Sequence, residues 1–202
     1  SHAPTPRATL AELAADLIAV LDDAGVPRAC VVGISLGGMT ALQCALDWPD
    51  RVAGLVACHC RAGIDPAGID GWNQRLQALR EQGLEALVEP TLARWFAAEF
   101  REARPDRIDE TRAMIRRTSP VGYEACVRAI QGIALTDRLP AIRVPALVLA
   151  GAQDAAASPD TMRAMAEAIP GAVFEVLDPC GHLSAIQCPE VLVARISRFL
   201  SH

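Results

Sequence analysis

With 202 residues and 51% hydrophobic content, the chain can bury one sizeable core, and its net charge of −5 sets up no global field to attract nucleic acid or anionic lipid. All nineteen basic residues are arginine, which excludes a lysine Schiff base, hence pyridoxal-phosphate chemistry, and a lysine-bearing phosphate loop. No apolar stretch reaches the roughly 20 residues of a membrane helix, and residues 1–7 lack the apolar core of a signal peptide.

In chain order, Thr9 to Ala24 reads as a helix. Thr9 and Glu12 have capping-box spacing, and Leu10, Leu13, Leu17 and Leu21 keep the helical period until Gly25 and Pro27 end it. Ala29 to Ile34 is a buried strand. A tight turn, Gly33-Ile34-Ser35-Leu36-Gly37, then opens into a helix that stops at Trp48-Pro49. Val52 to Cys58 is a second apolar strand. This order of near-continuous apolar strands and helices predicts a parallel sheet covered on both faces.

From Arg61 to about Pro140 the texture changes. Strand-like runs vanish, and helix patterns cover Trp72–Gln82, Leu84–Phe100, Asp106–Arg117 and Gly122–Gly132. Four helices exceed what one crossover between strands needs, so residues 61–139 are expected to form an inserted helical cap, with 1–60 and 140–202 making the core. The sheet pattern resumes with a strand at Pro145–Ala150, a helix at Ser158–Ile169, a strand at Ala172–Leu177 and a closing helix from Cys188 to about Leu200.

The chemistry concentrates at G-x-S-x-G, Gly33 to Gly37. Glycines two before and two after the serine are expected to leave room for a strained turn that holds the hydroxyl above the sheet edge. A helix N-terminus behind it favours developing negative charge. A serine needs a base, and the base needs an acid to hold its tautomer. Asp154 stands four residues past one strand end and His182 in the loop after the next strand. Loops at the carboxyl ends of parallel strands open on one rim, so both are expected beside Ser35. The order Ser35, Asp154, His182 is that of α/β-hydrolases.

Rivals are weaker by position. Asp178 closes a strand, and Asp160 suits the first turn of a helix. His59 is cysteine-flanked, with no acid expected beside it. In Cys58-His59-Cys60, strand alternation would put both sulfurs on one face and His59 on the other, so no metal site is expected there. No cofactor is required. The seven cysteines, odd in number and mostly within apolar periodic segments, read as free buried thiols of a reduced cytoplasm.

Asp154 with Pro159, Gly181-His182 and Cys188-Pro189-Glu190 look like the C-terminal half of α/β-hydrolases. Arg94-Trp95-Phe96, then Thr118 to Tyr123 with Cys126, then Pro145 to Val148 resemble the 3-oxoadipate enol-lactonases of the β-ketoadipate pathway. The resemblance spans nearly the whole chain. It implies an α/β-hydrolase-type parallel sheet of about four strands with a helical cap, Ser35 as nucleophile, His182 as general base and Asp154 as its orienting acid. By the same resemblance the Leu36 backbone N–H supplies one oxyanion donor. Ala155-Ala156-Ala157 departs from the family, where a more polar loop is expected.

The resemblance also implies about four further strands ahead of the serine strand, with a loop that supplies the second oxyanion donor. Ser1-His2-Ala3-Pro4 resembles the end of that loop. The serine strand is thus expected to expose a long apolar edge, an association hazard, and to pair with a companion N-terminal fragment of a nicked precursor. The expected activity is hydrolysis of a small-molecule lactone or ester through an acyl-enzyme, 3-oxoadipate enol-lactone foremost. A generic carboxylesterase or acyltransferase, or a non-catalytic hydrolase-like binding protein, are the alternatives. A carboxylate-bearing substrate calls for a cap arginine, with Arg61, Arg75 and Arg94 as unranked candidates.

Overall fold

The computed structural model describes residues 8–201, so the expectation for Ser1 to Pro4 lies outside the described residues. Helix α1 (Leu10–Asp23) starts at the foreseen capping box: the Glu12 N–H donates to Thr9 Oγ1 at 3.2 Å, and the Thr9 N–H donates to Glu12 Oε2 at 2.8 Å. Strand β1 (Ala29–Ile34), helix α2 (Leu36–Asp47) and strand β2 (Val52–Cys58) follow. Then come helices α3 (Pro66–Gln82), α4 (Glu85–Trp95), α5 (Ala98–Ala103), α6 (Pro105–Arg116) and α7 (Pro120–Gln131). Strand β3 (Ala146–Gly151), helix α8 (Pro159–Glu167), strand β4 (Val173–Leu177), the short α9 (Ser184–Gln187) and α10 (Pro189–Leu200) complete the order.

The four strands form one parallel sheet in the order β1-β2-β3-β4. Period-two alternation sends Leu55, Ala57, Val148 and Ala150 into a cluster with Met39 and Leu42 of α2 and Met162 and Met165 of α8. Val56, Cys58, Leu147 and Leu149 point the other way, toward Leu192, Ile196 and Phe199 of α10. Removing each such leucine from water is worth on the order of 2 kcal/mol, so both helix layers are held by burial. Among the described residues strand β1 pairs on one side only, and Val32 on it is 47% exposed.

Helices α3 to α7 pack around clusters of their own, one of Val88, Leu92, Phe96, Ile108 and Ile115, another of Leu76, Leu79, Leu87 and Val127. The single helix expected over Leu84–Phe100 is instead two, broken at Phe96 and Ala97, whose backbones are extended. The reason is tertiary. The Trp95 carbonyl accepts the His182 N–H at 2.8 Å and a longer bond from Leu183 at 3.4 Å. No described helix is long and apolar enough to cross a membrane.

Candidate active site

The rim at the carboxyl ends of the strands is built by one repeated device. The first residue past each strand donates its N–H to the neighbouring strand: Ser35 to the Cys58 carbonyl, His59 to Leu149 and Ala152 to Leu177, each at 2.9 Å. Ser35 sits at φ 53°, ψ −119°, a backbone that side chains rarely adopt and that costs on the order of 1–3 kcal/mol. Gly33 makes the turn possible, since a Cβ there would lie 2.1 Å from the Gly37 carbonyl oxygen. The second close approach is at Gly38, where a Cβ would meet the Cys60 side chain at 2.9 Å. Gly37 has open space, against the expectation that it would relieve crowding. Leu36 opens α2, so its N–H has no acceptor within the helix.

The three residues drawn from the sequence converge. The Ser35 hydroxyl lies 2.9 Å from His182 Nε2, and His182 Nδ1 lies 2.9 Å from Asp154 Oδ2. Asp154 is 4% exposed and His182 likewise, whereas the rivals Asp160 and Asp178 are exposed. Burial pushes the Asp154 carboxyl up, but N–H donation from His182 and His59, with the Ala157 backbone N–H, outweighs it and holds the group below the usual carboxylate range. The Ala155-Ala156-Ala157 loop works through its backbone: the Ala156 and Ala157 N–H groups donate to Asp154 Oδ1 at 2.7 and 2.9 Å. The Trp95 ring stacks on His182 at 6.5 Å between centroids, so α4 grips the imidazole loop by carbonyl and indole together.

Sequence reasoning missed His59. It too meets an acid: His59 Nδ1 lies 3.2 Å from Asp154 Oδ2, and its Nε2 lies 2.8 Å from Ser184 Oγ. The alternation argument fails because β2 ends at Cys58 and His59 takes φ 49°. Cys58 and Cys60 consequently join different clusters. A histidine directly after a strand that ends on the serine rim was the available signal. His59, Asp154 and His182 bring ligand-type atoms within 4.8 Å of one another, a spacing that a metal ion could use. Here those atoms are hydrogen-bonded to each other and to Ser35 and Ser184, and no buried side-chain nitrogen or oxygen among the described residues lacks a partner.

A cavity of about 470 Å³ opens over Ser35 and His182, walled on its far side by α3, α4 and α7. Trp72, Trp95, Tyr123 and Cys126 line it with three arginines, Arg61, Arg75 and Arg94. Arg61 is engaged with the Ala156 carbonyl. Arg75 lies over the Trp72 ring at 4.3 Å, and among the described residues neither Arg75 nor Arg94 has a carboxylate within ion-pair distance. Burial, with Arg94 adding to it, draws Arg75 down to about 10, so it stays a cation at neutral pH. Burial lowers Arg94 in the same way.

A strained serine after a parallel strand, joined to histidine and aspartate from later strand ends, is the arrangement of the α/β-hydrolases. Residues 1–189 match the alpha/beta hydrolase fold family, and the chain belongs to it. Within that family it is 31% identical over 190 residues to 3-oxoadipate enol-lactonase 2 of Acinetobacter baylyi, covering 94% of this chain and 70% of that protein. The enol-lactonase of Burkholderia xenovorans superposes with a TM-score of 0.94 at 32% identity, over 100% of this chain and 76% of that one. A thermophilic esterase from Thermogutta terrifontis, solved with malate bound, gives a TM-score of 0.90 at 31% identity over 96% and 73%.

Proposed function

We propose that this protein hydrolyses a small lactone or ester bearing a free carboxylate, through an acyl-enzyme on Ser35, with 3-oxoadipate enol-lactone as the leading substrate. In this reading His182 Nε2 takes the Ser35 proton as Oγ attacks the carbonyl carbon. The carbonyl oxygen becomes an oxyanion beside the Leu36 N–H and the N-terminus of α2. Collapse breaks the acyl C–O bond, and the leaving enolate takes the proton from His182. Water then gives a proton to His182 and attacks the acyl carbon; the Oγ–acyl bond breaks, Oγ takes the proton back from His182, and the enol released from the lactone tautomerises to 3-oxoadipate. Asp154 holds the His182 tautomer that makes each transfer possible. Residues 61–139 act as the cap that keeps bulk water from the acyl-enzyme.

The observation that carries this reading is the Ser35–His182–Asp154 line in a cavity whose lining holds two guanidinium groups without a carboxylate partner among the described residues. Arg75 and Arg94 are thus the ranked partners of the substrate carboxylate. The likeness to two enol-lactonases supports the same substrate class. A burst of p-nitrophenol from an activated ester, abolished in Ser35→Ala, separates a serine hydrolase from a binding protein. Ring opening of 3-oxoadipate enol-lactone well above the rate for a neutral ester separates the lactonase from a generic carboxylesterase or acyltransferase; equal rates would overturn the lactonase reading.

We propose further that the outer edge of β1 pairs with a further strand, which brings the second oxyanion donor to the site. The support is an edge strand with a half-exposed Val32 beside the serine turn, and relatives longer than this chain. Hydrogen exchange on the active protein tests it: protection of the outward-facing β1 amides is expected, and free exchange of those amides at full activity would refute it.

A further inference from the structure

We infer that His59, with Ser184 behind it, is a positioning residue of the site: it holds the Asp154 carboxylate by Oδ2, the oxygen that His182 also reaches. The inference rests on the acyl-enzyme reading above and adds to it a residue that the serine–histidine–aspartate scheme leaves idle. An ionised carboxylate only accepts, so both imidazoles that reach Asp154 Oδ2 must present N–H at Nδ1. In a neutral His59 ring this leaves Nε2 as an acceptor, and the Ser184 hydroxyl must donate to it across 2.8 Å. The hydrogen bonds therefore run in one direction from Ser184 through His59 to Asp154, and in the mirrored direction from Ser35 through His182 to the same oxygen.

Three observations argue that this arm is built for position. First, the carboxylate is saturated: Oδ1 receives the Ala156 and Ala157 N–H groups and Oδ2 the two imidazoles, filling its four acceptor directions. A carboxylate so held cannot rotate and needs no water. Second, His59 is fully buried and keeps a left-handed backbone at φ 49°, a conformation that strands avoid and that residues with a side chain adopt uncommonly. That backbone turns the ring out of the sheet alternation and toward Asp154. Third, Ser184 is itself fully buried at the first turn of α9, two residues beyond His182, so the loop that carries the base also carries the anchor of the arm. The His59 and His182 rings meet edge to face, 5.9 Å between centroids, which fixes the angle between the two donors.

Without the His59 donor, Oδ2 keeps one partner and a ring-sized void beside it. The carboxylate gains freedom to turn, and His182 loses its aim at Ser35. Loosened geometry of this kind costs about 10–100-fold in turnover and leaves substrate binding intact. The test is a set of purified variants assayed by steady-state kinetics on a neutral p-nitrophenyl ester. His59→Leu is expected to lower kcat by about 10–100-fold with KM within about twofold, and His59→Asn, whose amide N–H falls where Nδ1 lies, to recover most of that loss. Ser184→Ala is expected to lower kcat by about 3–10-fold through a freed His59 ring, and it stands as the test should His59→Leu not fold. Equal losses in His59→Leu and His59→Asn, a change confined to KM, or full kcat in Ser184→Ala would each overturn the inference. Ser35→Ala run alongside keeps the two readings apart. An active Ser35→Ala sinks the acyl-enzyme; an inactive Ser35→Ala beside a fully active His59→Leu sinks only the arm.

Discussion

The rim of the sheet and the helical insertion above it use charge in opposite ways. On the rim, the buried Asp154 carboxylate has every acceptor direction filled, and each imidazole nitrogen of His59 and His182 has a partner. On the outer face of the insertion, Arg112 pairs with Glu89 and Arg116 with Glu85 in exposed bridges worth little in stability. On its inner face Arg75 and Arg94 are half-buried with no carboxylate partner among the described residues, so their desolvation is offset only in part, by the Trp72 ring under Arg75, until an anion arrives. A saturated network fixes geometry, whereas an unsaturated one selects a ligand. In the proposed enzyme the rim therefore sets the reaction and the insertion sets the substrate.

The sharpest way to break the rim is Ser35→Ala. Turnover is expected to fall by about 10⁴–10⁶ on every ester, whatever its charge, and Asp154→Asn by about 10⁴ from a mis-set tautomer. Initial rates on a neutral and an anionic p-nitrophenyl ester check both. A loss confined to the anionic ester would make the rim a selector and collapse the contrast.

Gly33→Ala tests the same region through the backbone. Its Cβ would sit 2.1 Å from the Gly37 carbonyl oxygen, and the atoms it would meet, in Gly37 and Gly38, are all backbone, with no flexible end to yield. A loss of about 4 kcal/mol is expected, seen as a fall in melting temperature of about 8–16 °C. A melting curve unchanged from the parent would mean that the serine turn is not held as described.

The insertion is probed by Arg75→Gln and Arg94→Gln. Each is expected to lower kcat/KM by about 10–100-fold on p-nitrophenyl hydrogen succinate and to leave p-nitrophenyl butyrate within about twofold. Because the two guanidinium groups share one cavity, the double variant should lose less than the product of the single losses. Equal effects on the two esters would assign these arginines to packing.

What could be read in advance divides along the same line. Ser35, Asp154 and His182 were legible because each follows a strand, and strand ends in a parallel sheet share a rim; β1 and β2 also fall where the apolar runs place them. His59 was hidden because its left-handed backbone breaks the alternation that sequence reasoning assumes, and no glycine announces it. The helix break at Phe96 carries no local signal, since it answers to the His182 N–H, distant in sequence. Arg75 and Arg94 could not be ranked among nineteen arginines, because what marks them is the lack of a partner, visible only once the others have found theirs.

The smallest expected effect belongs to Gly37, the second glycine of the serine turn. It lies inside α2, is exposed, and a Cβ there meets nothing within 4 Å. Glycine in a helix interior costs about 0.5–1 kcal/mol against alanine, an upper bound in the first turn where Gly37 stands, so Gly37→Ala should raise the melting temperature by at most about 4 °C with kcat unchanged. The two glycines that look equivalent in G-x-S-x-G would then differ in sign: one required by a contact inside the turn, the other free of any. If Gly37→Ala folds at the parent's stability yet loses activity, the open space beside it is filled in the active protein by something other than the described residues.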